Sequence, residues 1–403
     1  EDSMKYIVIL CDGMADEPLD MLGGKTPVEA ARTENIDRLA KDAEIGMART
    51  VPEGMAPGSD TANLSVIGYD PEKYYSGRSP LEALSIGAKM GDEDVSFRCN
   101  LVTLSEDEEN YEDRVIIDHS SGEISTEEAA ELLNALKTEL KREGYTFYAG
   151  TSYRHLLIWK GGKTVELTAP HDILTKRVGE YLPEDEVLRE MMVRSYDILK
   201  DHPINKKRRA EGKNPANSAW FWGAGTRPAL TSFEEKNGVK GAMISAVDLL
   251  KGIAVGAGMY NIIVEGANGG LHTNYSGKAE AAVKALTEDG YDFVYVHIEA
   301  PDEMGHQGNA EDKIKAIEYI DEKVIGPVAD ALHAAGVDFR MLILPDHPTP
   351  IRVRTHTSDP VPHLLYDSTK KVKGTDVYSE KAARESGRYI EEGHRLMEYF
   401  IQS

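Results

Sequence analysis

The chain has 403 residues, 41% of them hydrophobic and 29% charged, a balance typical of soluble globular proteins with room for two domains. Its formal net charge of −23 argues against nucleic acids and anionic membrane surfaces as partners. No apolar run reaches the roughly 20 residues that a membrane-spanning helix needs. Only two cysteines occur, too few for a disulfide framework, and no secretory leader is recognisable. These features predict a cytoplasmic protein.

A strand followed by helices is predicted for the first part of the chain. The continuous apolar run over residues 6–10 is typical of a strand that is buried on both faces. Helical patterns follow over residues 29–42 and again over residues 59–67. We expect Ser59 at the start of that second helix, where unpaired backbone amides favour an anion.

The middle of the chain has a different character, because short strands and longer helices follow one another there without regular alternation. The expected strands cover residues 96–103, 114–118, 146–149, 154–159 and 164–168, and the expected helices cover residues 126–143 and 184–201. We therefore predict an inserted α+β domain over residues 96–235.

Regular alternation returns in the last part of the chain. Strands are predicted over residues 261–264, 293–298 and 339–344, and helices over residues 277–289 and 310–335, the last one interrupted near Gly326 and Pro327. Strands that alternate with helices predict a doubly wound α/β sheet. Residues 1–95 and 236–403 would form this core domain, and its ligand sites would lie outside the carboxyl ends of the strands.

Short segments that carry aspartate or histidine follow several of these strands. Asp12 comes just after the first strand, Asp302 after the strand that ends at residue 298, and Asp346 after the strand that ends at residue 344. Together with nearby segments they supply seven candidate metal ligands: Asp12, Ser59, Asp302, His306, Asp346, His347 and His356.

This set of side chains indicates a particular chemistry. Carboxylate and imidazole ligands suit divalent cations such as Mn²⁺ or Zn²⁺. Two such ions with a serine between them are suited to in-line transfer of a phosphoryl group. Each segment alone also fits an ordinary turn, and Ser59 alone fits a helix cap, but their coincidence at one sheet edge favours a two-metal site. We interpret His297, inside a strand, as a core histidine rather than a ligand.

The same segments resemble the alkaline phosphatase superfamily, and within it the 2,3-bisphosphoglycerate-independent phosphoglycerate mutases of the archaeal type. The resemblance spans essentially the whole chain and implies an alkaline-phosphatase-like core with an inserted domain. The matching segments are residues 12–13, 57–63, 75–83, 97–101, 297–302, 305–306 and 345–347.

The resemblance implies an isomerase of glycolysis and gluconeogenesis that needs no bisphosphoglycerate. Ser59 would take the phosphoryl group from 3-phosphoglycerate, a small phosphorylated carboxylic acid, and return it to the 2-hydroxyl of the glycerate. Mn²⁺ is the expected metal, with Zn²⁺, Co²⁺ or Mg²⁺ as alternatives. One ion would be bound by Asp302, His306 and His356, and the other by Asp12, Asp346, His347 and the Ser59 hydroxyl.

Substrate contacts are also implied by the resemblance. The inserted domain would hold the glycerate and close over it, which keeps water from the phosphoryl group. Lys240 matches the family lysine that lies near the transferring phosphoryl group. Further candidates for substrate contacts are Arg154, Asn214, Asn217 and Arg227.

Two positions depart from the family pattern and leave alternatives open. Glu123 and Trp222 stand where arginines are expected, and a glutamate favours an ammonium group over a phosphate or carboxylate. Related metal-dependent phosphotransferases, such as homoserine kinases, and phosphohydrolases are therefore alternatives. Glu123 as an ordinary surface residue is the simpler interpretation.

Overall fold

The structure, a computed structural model, describes residues 3–402 of the chain. They fold into two compact units. The first unit runs to Tyr75 and resumes at Leu230, and the second unit, Ser76–Ala229, is inserted between these two parts.

The strands and helices of the described residues are numbered here in chain order. The strands are β1 (Lys5–Cys11), β2 (Glu44–Ala48), β3 (Val95–Leu104), β4 (Ile116–Asp118), β5 (Tyr145–Tyr148), β6 (Arg154–Trp159), β7 (Ser218–Thr226), β8 (Gly241–Ile244), β9 (Tyr260–Ile262), β10 (Phe293–Ile298), β11 (Phe339–Leu344), β12 (Val361–Asp367) and β13 (Tyr389–Ile390). The α-helices are α1 (Pro27–Ala30), α2 (Glu34–Ala40), α3 (Ser59–Ile67), α4 (Pro71–Tyr74), α5 (Arg78–Ser85), α6 (Thr126–Glu139), α7 (Glu186–Leu199), α8 (Pro203–Ala210), α9 (Phe233–Asn237), α10 (Asp248–Gly256), α11 (Tyr275–Thr287), α12 (Ala300–His306), α13 (Ala310–Ile320), α14 (Gly326–Ala334), α15 (Glu380–Glu385) and α16 (Leu396–Gln402). Single turns of 3₁₀-helix cover Asp20–Leu22, Tyr111–Asp113, Pro170–Asp172, Gly179–Tyr181 and Gly393–Arg395, and a π-helical turn covers Asp321–Ile325.

An eight-stranded mixed sheet forms the centre of the first unit, with the order β13-β2-β12-β11-β1-β10-β8-β9. Strand β1 lies in the middle and pairs in parallel with β10 on one side and β11 on the other. Strands β8 and β9 continue the parallel part, whereas β12 runs antiparallel to both β11 and β2. The carboxyl ends of β1, β10 and β11 therefore meet at the same edge of the sheet.

Helices cover both faces of this sheet. On one face, Ile7 and Ile9 of β1 and Val296 of β10 pack in a buried core with residues of α11, α13 and α14. Because side chains alternate along a strand, Tyr295 lies on the opposite face, where its hydroxyl donates to Asn63 Oδ1 of α3 at 2.6 Å. Helix α3 and its first residues are thereby held over the second face, close to the carboxyl edge.

The second unit is an antiparallel sheet with helices. Its strands have the order β4-β3-β6-β5, and β7 also pairs with β3. A separate core includes Phe97 and Trp220 of the sheet together with apolar residues of α6 and α7. The indole of Trp220 is buried and donates to the carbonyl of Thr168 at 2.8 Å. The predicted fold class, an α/β core with an inserted α+β part, is confirmed by these two architectures.

The boundaries of the two units differ from the predicted ones. Residues 76–95, which we expected in the core domain, belong to the second unit, and residues 230–235 belong to the first. The reason is packing, since Ser79 in α5 donates to the carbonyl of Gly223 at 2.7 Å and lies 2.8 Å from Ser96 Oγ. An apolar pattern predicts a helix here but does not reveal the sheet against which the helix packs.

Some predicted elements also differ in detail. Residues 29–42 form two short helices rather than one, and residues 310–335 form α13 and α14 joined by the π-helical turn. Residues 164–168 form no strand, since no ladder pairs with them among the described residues. Within residues 3–402, no helix is both long and apolar enough to cross a membrane.

The core of the second unit supplies a stability test. Phe97 is fully buried and stacks on Trp159, with 6.4 Å between the ring centroids. We expect Phe97→Ala to lower the free energy of unfolding by about 3–5 kcal/mol, because it leaves a cavity in a closely packed core. Ile117→Ala in the same unit should change it by no more than about 0.5 kcal/mol, since Ile117 is 53% exposed. Urea unfolding followed by circular dichroism makes the comparison, and equal effects would contradict the described core.

Candidate active site

Ser59 is the first residue of α3, and Gly58 before it is the capping residue. The Gly58 backbone is extended, and a glycine has no side chain with which to cap the helix. Ser59 follows the capping position, so its hydroxyl is not that of a capping residue. Its Oγ lies 3.1 Å from Nε2 of His347, and its carbonyl accepts a hydrogen bond from Asn63 at 2.7 Å. The serine thus presents its hydroxyl to a histidine at the carboxyl edge of the sheet.

Two buried aspartates lie beside this serine. Asp346 Oδ1 accepts hydrogen bonds from the amides of Gly13 at 3.0 Å and His347 at 2.8 Å, and its Oδ2 accepts from Asn63 at 2.9 Å. Asp12 Oδ2 lies 2.8 Å from Nε2 of His297. Asp12 Oδ1 is buried without a hydrogen-bond partner among the described residues. Burial, reinforced by the negative charge of Asp346, raises the pKa of Asp12 well above its ordinary value.

Asp302 forms the second part of the site, on helix α12. Its Oδ2 lies 3.2 Å from Nε2 of His306, one helical turn later, and its Oδ1 lies 3.2 Å from Nε2 of His356. Burial acts to raise the pKa of Asp302, but the bonds to the two histidines outweigh it and hold that pKa below its ordinary value. The bond to Asp302 in turn raises the pKa of His306.

His347 lies between the two parts. Its Nε2 is 3.3 Å from Asp12 Oδ1 and 3.3 Å from Asp346 Oδ2, and its ring centroid is 4.0 Å from that of His356. Its Nδ1 lies 3.1 Å from the carbonyl oxygen of Pro348. Because a carbonyl only accepts, Nδ1 carries the proton of the neutral ring, and burial lowers the pKa of His347. The lone pair on Nε2 is therefore free to bind a cation.

His306 shows the same arrangement at the outer side of the site. Its Nδ1 lies 3.1 Å from the carbonyl oxygen of Arg354, so that its Nε2 faces Asp302 and His356. A backbone carbonyl that fixes the tautomer of a ligand histidine is a recurrent feature of metal sites.

The arrangement fits divalent cations. Among residues 3–402, two groups of side chains have ligand atoms within 4.8 Å of one another. Asp12, which has a buried oxygen without a hydrogen-bond partner in this part of the chain, belongs to one of them. Mixed carboxylate and imidazole donors suit Mn²⁺, Zn²⁺ or Co²⁺. The groups are Asp302, His347 and His356, and Asp12, His297 and Asp346.

The structure brings together all seven residues that the sequence singled out as ligands, but the grouping differs from the predicted one. His347 contacts Asp12 and Asp346, as predicted, and also groups with Asp302 and His356. His306 contacts Asp302 but is outside both compact groups. The assignment of each side chain to one ion stays a prediction.

His297 was not expected near the ligands. It is buried, as a core histidine should be, and its Nδ1 lies 3.1 Å from Ser245 Oγ while its Nε2 contacts Asp12. Burial lowers its pKa to about 4. In the sequence, the one sign of this role was a polar residue in an otherwise apolar strand. The contact with Asp12 itself depends on the parallel register of β10 with β1, which places His297 opposite Leu10.

Two of the predicted substrate contacts are contradicted by the structure. Lys240 precedes β8 and lies above the ring of Tyr291 at 4.9 Å, at the amino ends of the parallel strands and thus at the edge opposite the site. Asn217 is fully buried, and its side chain is bonded to the backbone of Leu104 at 2.8 and 2.9 Å. Neither is placed to bind a substrate.

The other three predicted contacts lie at the surface of the second unit. Arg154 is exposed with its guanidinium 4.3 Å from the ring of Tyr153, and Arg227 is exposed as well. Asn214 is exposed and donates to Asp118 at 2.9 Å. These three stay predictions.

The chain is similar in sequence to known proteins. The sequence profile of 2,3-bisphosphoglycerate-independent phosphoglycerate mutase matches residues 40–205. A probable 2,3-bisphosphoglycerate-independent phosphoglycerate mutase of Geobacter sulfurreducens is 50% identical over 99% of this chain and 100% of its own length. A mutase of the same name from Methanothrix thermoacetophila is 46% identical over 99% of this chain and 100% of its own. The chain belongs to the 2,3-bisphosphoglycerate-independent phosphoglycerate mutase family.

Solved structures support the same relationship. A protein from Pyrococcus horikoshii is similar with a TM-score of 0.83 and 31% identity, covering 99% of this chain and 97% of the other. The cofactor-independent phosphoglycerate mutase from Thermoplasma acidophilum is similar with a TM-score of 0.70 and 28% identity, covering 99% of both chains. The curated relatives are named phosphoglycerate mutases, which are isomerases.

The Asp302–His306 pair gives the metal-free protein a pH-dependent stability. Because the pKa of His306 is raised above 6.5, the contribution is fully present below pH 6.5 and is lost as the pH rises through the raised pKa. We expect His306→Gln to lower the melting temperature of chelator-treated protein more at about pH 6 than at about pH 9. Thermal unfolding followed by circular dichroism measures this, with exposed His272→Gln as the control. A larger effect at the higher pH would contradict the ion pair.

Proposed function

We propose that this protein interconverts 3-phosphoglycerate and 2-phosphoglycerate without bisphosphoglycerate, by way of a phosphoserine at Ser59. The single observation that carries the proposal is the Ser59 hydroxyl, which is free of any capping role and lies 3.1 Å from Nε2 of His347. Membership of the mutase family supports the choice of substrate. A mutase with this substrate would act in glycolysis and gluconeogenesis, in the cytoplasm.

Two divalent cations complete the proposed site, with Mn²⁺ as the expected metal. The unpaired oxygen of Asp12 and the free Nε2 of His347 support this proposal. When bound, the cations would lower the pKa of the serine hydroxyl and offset negative charge on the phosphoryl oxygens. One ion would be held by Asp302, His306 and His356, and the other by Asp12, Ser59, Asp346 and His347.

The chain itself supplies the nucleophile and its orientation. The Ser59 hydroxyl gives up its proton and its oxygen attacks the phosphorus of 3-phosphoglycerate, the bond from phosphorus to the C3 oxygen breaks, and that oxygen takes up a proton. The 2-hydroxyl of the same glycerate then gives up its proton and attacks the phosphorus of the phosphoserine, the bond from phosphorus to the Ser59 oxygen breaks, and the serine oxygen takes up a proton. Because Ser59 is the first residue of α3, the positive end of the helix dipole favours a phosphoryl group there.

The glycerate must stay bound between the two transfers. We propose that the second unit binds it, through the exposed side chains of Arg154, Asn214 and Arg227. Glu123 is exposed on a turn with a φ of 53°. An ordinary surface role is the simpler interpretation, and the homoserine assay below tests the alternative.

The nucleophile is tested by Ser59→Ala. We expect this variant to lose mutase activity by about a thousandfold or more and to keep its melting temperature, because the hydroxyl does not cap the helix. Ser65→Ala, in the same helix and buried, is the matched control and should retain mutase activity. Incubation with ³²P-labelled 3-phosphoglycerate and acid quenching should label the wild type and not Ser59→Ala. An active, unlabelled wild type would contradict the phosphoserine.

The metals and the substrate are tested together. Chelation should abolish the conversion of 3-phosphoglycerate to 2-phosphoglycerate, and added Mn²⁺ should restore it, because the buried aspartates and histidines would lose their cations. A coupled assay without bisphosphoglycerate measures this, and a parallel assay with homoserine and ATP tests the kinase alternative. Full activity of a sample shown to be metal-free by elemental analysis would contradict the two-metal proposal. Phosphorylation of homoserine with no mutase activity would contradict the substrate.

A further inference from the structure

Thr349 is not one of the predicted ligands, but it contacts two of them, Asp302 and His347. It lies in the segment after β11 and is fully buried. Its hydroxyl donates to Asp302 Oδ1 at 2.5 Å, and the same oxygen lies 3.3 Å from Nδ1 of His347. The hydroxyl therefore joins a carboxylate and an imidazole whose other atoms face the proposed cations.

Gly13 and Gly305 pack closely against Thr349. A Cβ at Gly13 would lie 2.5 Å from Thr349 Oγ1 and 2.8 Å from the Cα of Asp302. A Cβ at Gly305 would lie 2.5 Å from the carbonyl oxygen of Thr349 and 2.8 Å from its Cγ2. Any larger residue at either glycine would displace the threonine. The threonine is thus packed between the segment after β1 and helix α12, which carry Asp12 and Asp302.

Lys313 of α13 holds the backbone of the same segment. Its side chain is fully buried, and its ammonium donates to the carbonyls of Thr349 at 3.0 Å and Ala15 at 3.3 Å and to Asp16 Oδ2 at 2.9 Å. Each of the three N–H groups of the ammonium therefore has one acceptor. Asp16 also accepts from the amide of Ile351 at 3.1 Å. The ammonium consequently joins the segment after β1 to the segment after β11, so that neither can move without breaking a buried ionic contact.

We propose that Thr349 and Lys313 are positioning residues of the metal site, with Lys313 fixing Thr349 and Thr349 fixing the carboxylate of Asp302. This inference rests on the two-metal site of the proposed function. Of the two Asp302 oxygens, Oδ1 accepts from the threonine hydroxyl and also lies 3.2 Å from Nε2 of His356, while Oδ2 faces His306. The plane of the carboxylate is thereby set before a cation arrives, and a ligand that is already oriented binds more tightly.

A positioning role differs from a purely structural one in what it changes. Replacing Thr349 by valine keeps the shape that fills the space between the two glycines but removes the hydrogen bond to Asp302. Replacing it by serine keeps the hydrogen bond and removes only a methyl group. A structural role predicts that stability follows the change in packing, whereas a positioning role predicts that cation affinity follows the hydroxyl.

The test is therefore cation affinity rather than activity. Titration of chelator-treated protein with Mn²⁺, followed by the electron paramagnetic resonance of the free ion, gives the dissociation constants of the two sites. We expect Thr349→Val to weaken at least one site by about tenfold or more, and Thr349→Ser to stay within about threefold of the wild type. Wild-type affinity at both sites in Thr349→Val would overturn the role of Thr349. A wild type that binds no Mn²⁺ would overturn the proposed two-metal site itself.

Lys313 is tested by a neutral double substitution, Lys313→Met with Asp16→Asn, which avoids leaving a buried charge unpaired. We expect it to weaken Mn²⁺ binding in the same direction as Thr349→Val. Because Lys313 acts through Thr349, the variant that combines Thr349→Val with the double substitution should lose less Mn²⁺ affinity than the product of the two separate fold-changes. Two outcomes would overturn the role of Lys313. One is that the separate fold-changes in the Mn²⁺ dissociation constant multiply in full, and the other is that the neutral double variant binds Mn²⁺ with wild-type affinity. Melting temperatures of the metal-free variants show that each is folded, and if the neutral double variant is unfolded, Lys313→Arg replaces it with the same criteria.

Discussion

The site depends on three carboxylates that are buried close together. Asp12, Asp302 and Asp346 lie at one sheet edge, with little or no exposure to water. Like charges in such a place repel one another, and each has been removed from the water that would otherwise stabilise it. The surrounding histidines and backbone amides offset part of this cost, and one oxygen of Asp12 has no hydrogen-bond partner within the part of the chain that the structure describes. The fold thus maintains a concentration of negative charge that a pair of cations would relieve.

The sheet is what makes this concentration possible. Three neighbouring parallel strands end at the same edge, so that residues from distant parts of the chain arrive side by side. The next layer then orients them: Asn63 supports Asp346, His297 supports Asp12, and Thr349 supports Asp302. Each aspartate therefore has its own neutral partner, and the histidine tautomers are set by backbone carbonyls.

Much of this could be predicted from the sequence, because apolar strands in a parallel sheet form continuous runs and because ligands follow their carboxyl ends. The three candidate aspartates came together for that reason. What could not be predicted depends on register and packing. The contact of His297 with Asp12 follows from the pairing of two strands, and the place of residues 76–95 follows from the helix that packs on β3. Lys240 was wrongly predicted to lie at the site. It precedes a parallel strand, and the two ends of such a strand lie at opposite edges of the sheet.

The central position of β1 has a consequence for how the chain reaches its native state. Gly13 and Asp346, which are bonded in the folded protein, are 333 positions apart, and the strands on either side of β1 come from the last third of the sequence. A ribosome therefore releases β1 long before either neighbour exists, and contacts this remote in sequence form slowly. The second unit contains only partners that are closer in sequence. The first strand to be synthesised is thus among the last to be paired, and until then its apolar edge is open to aggregation.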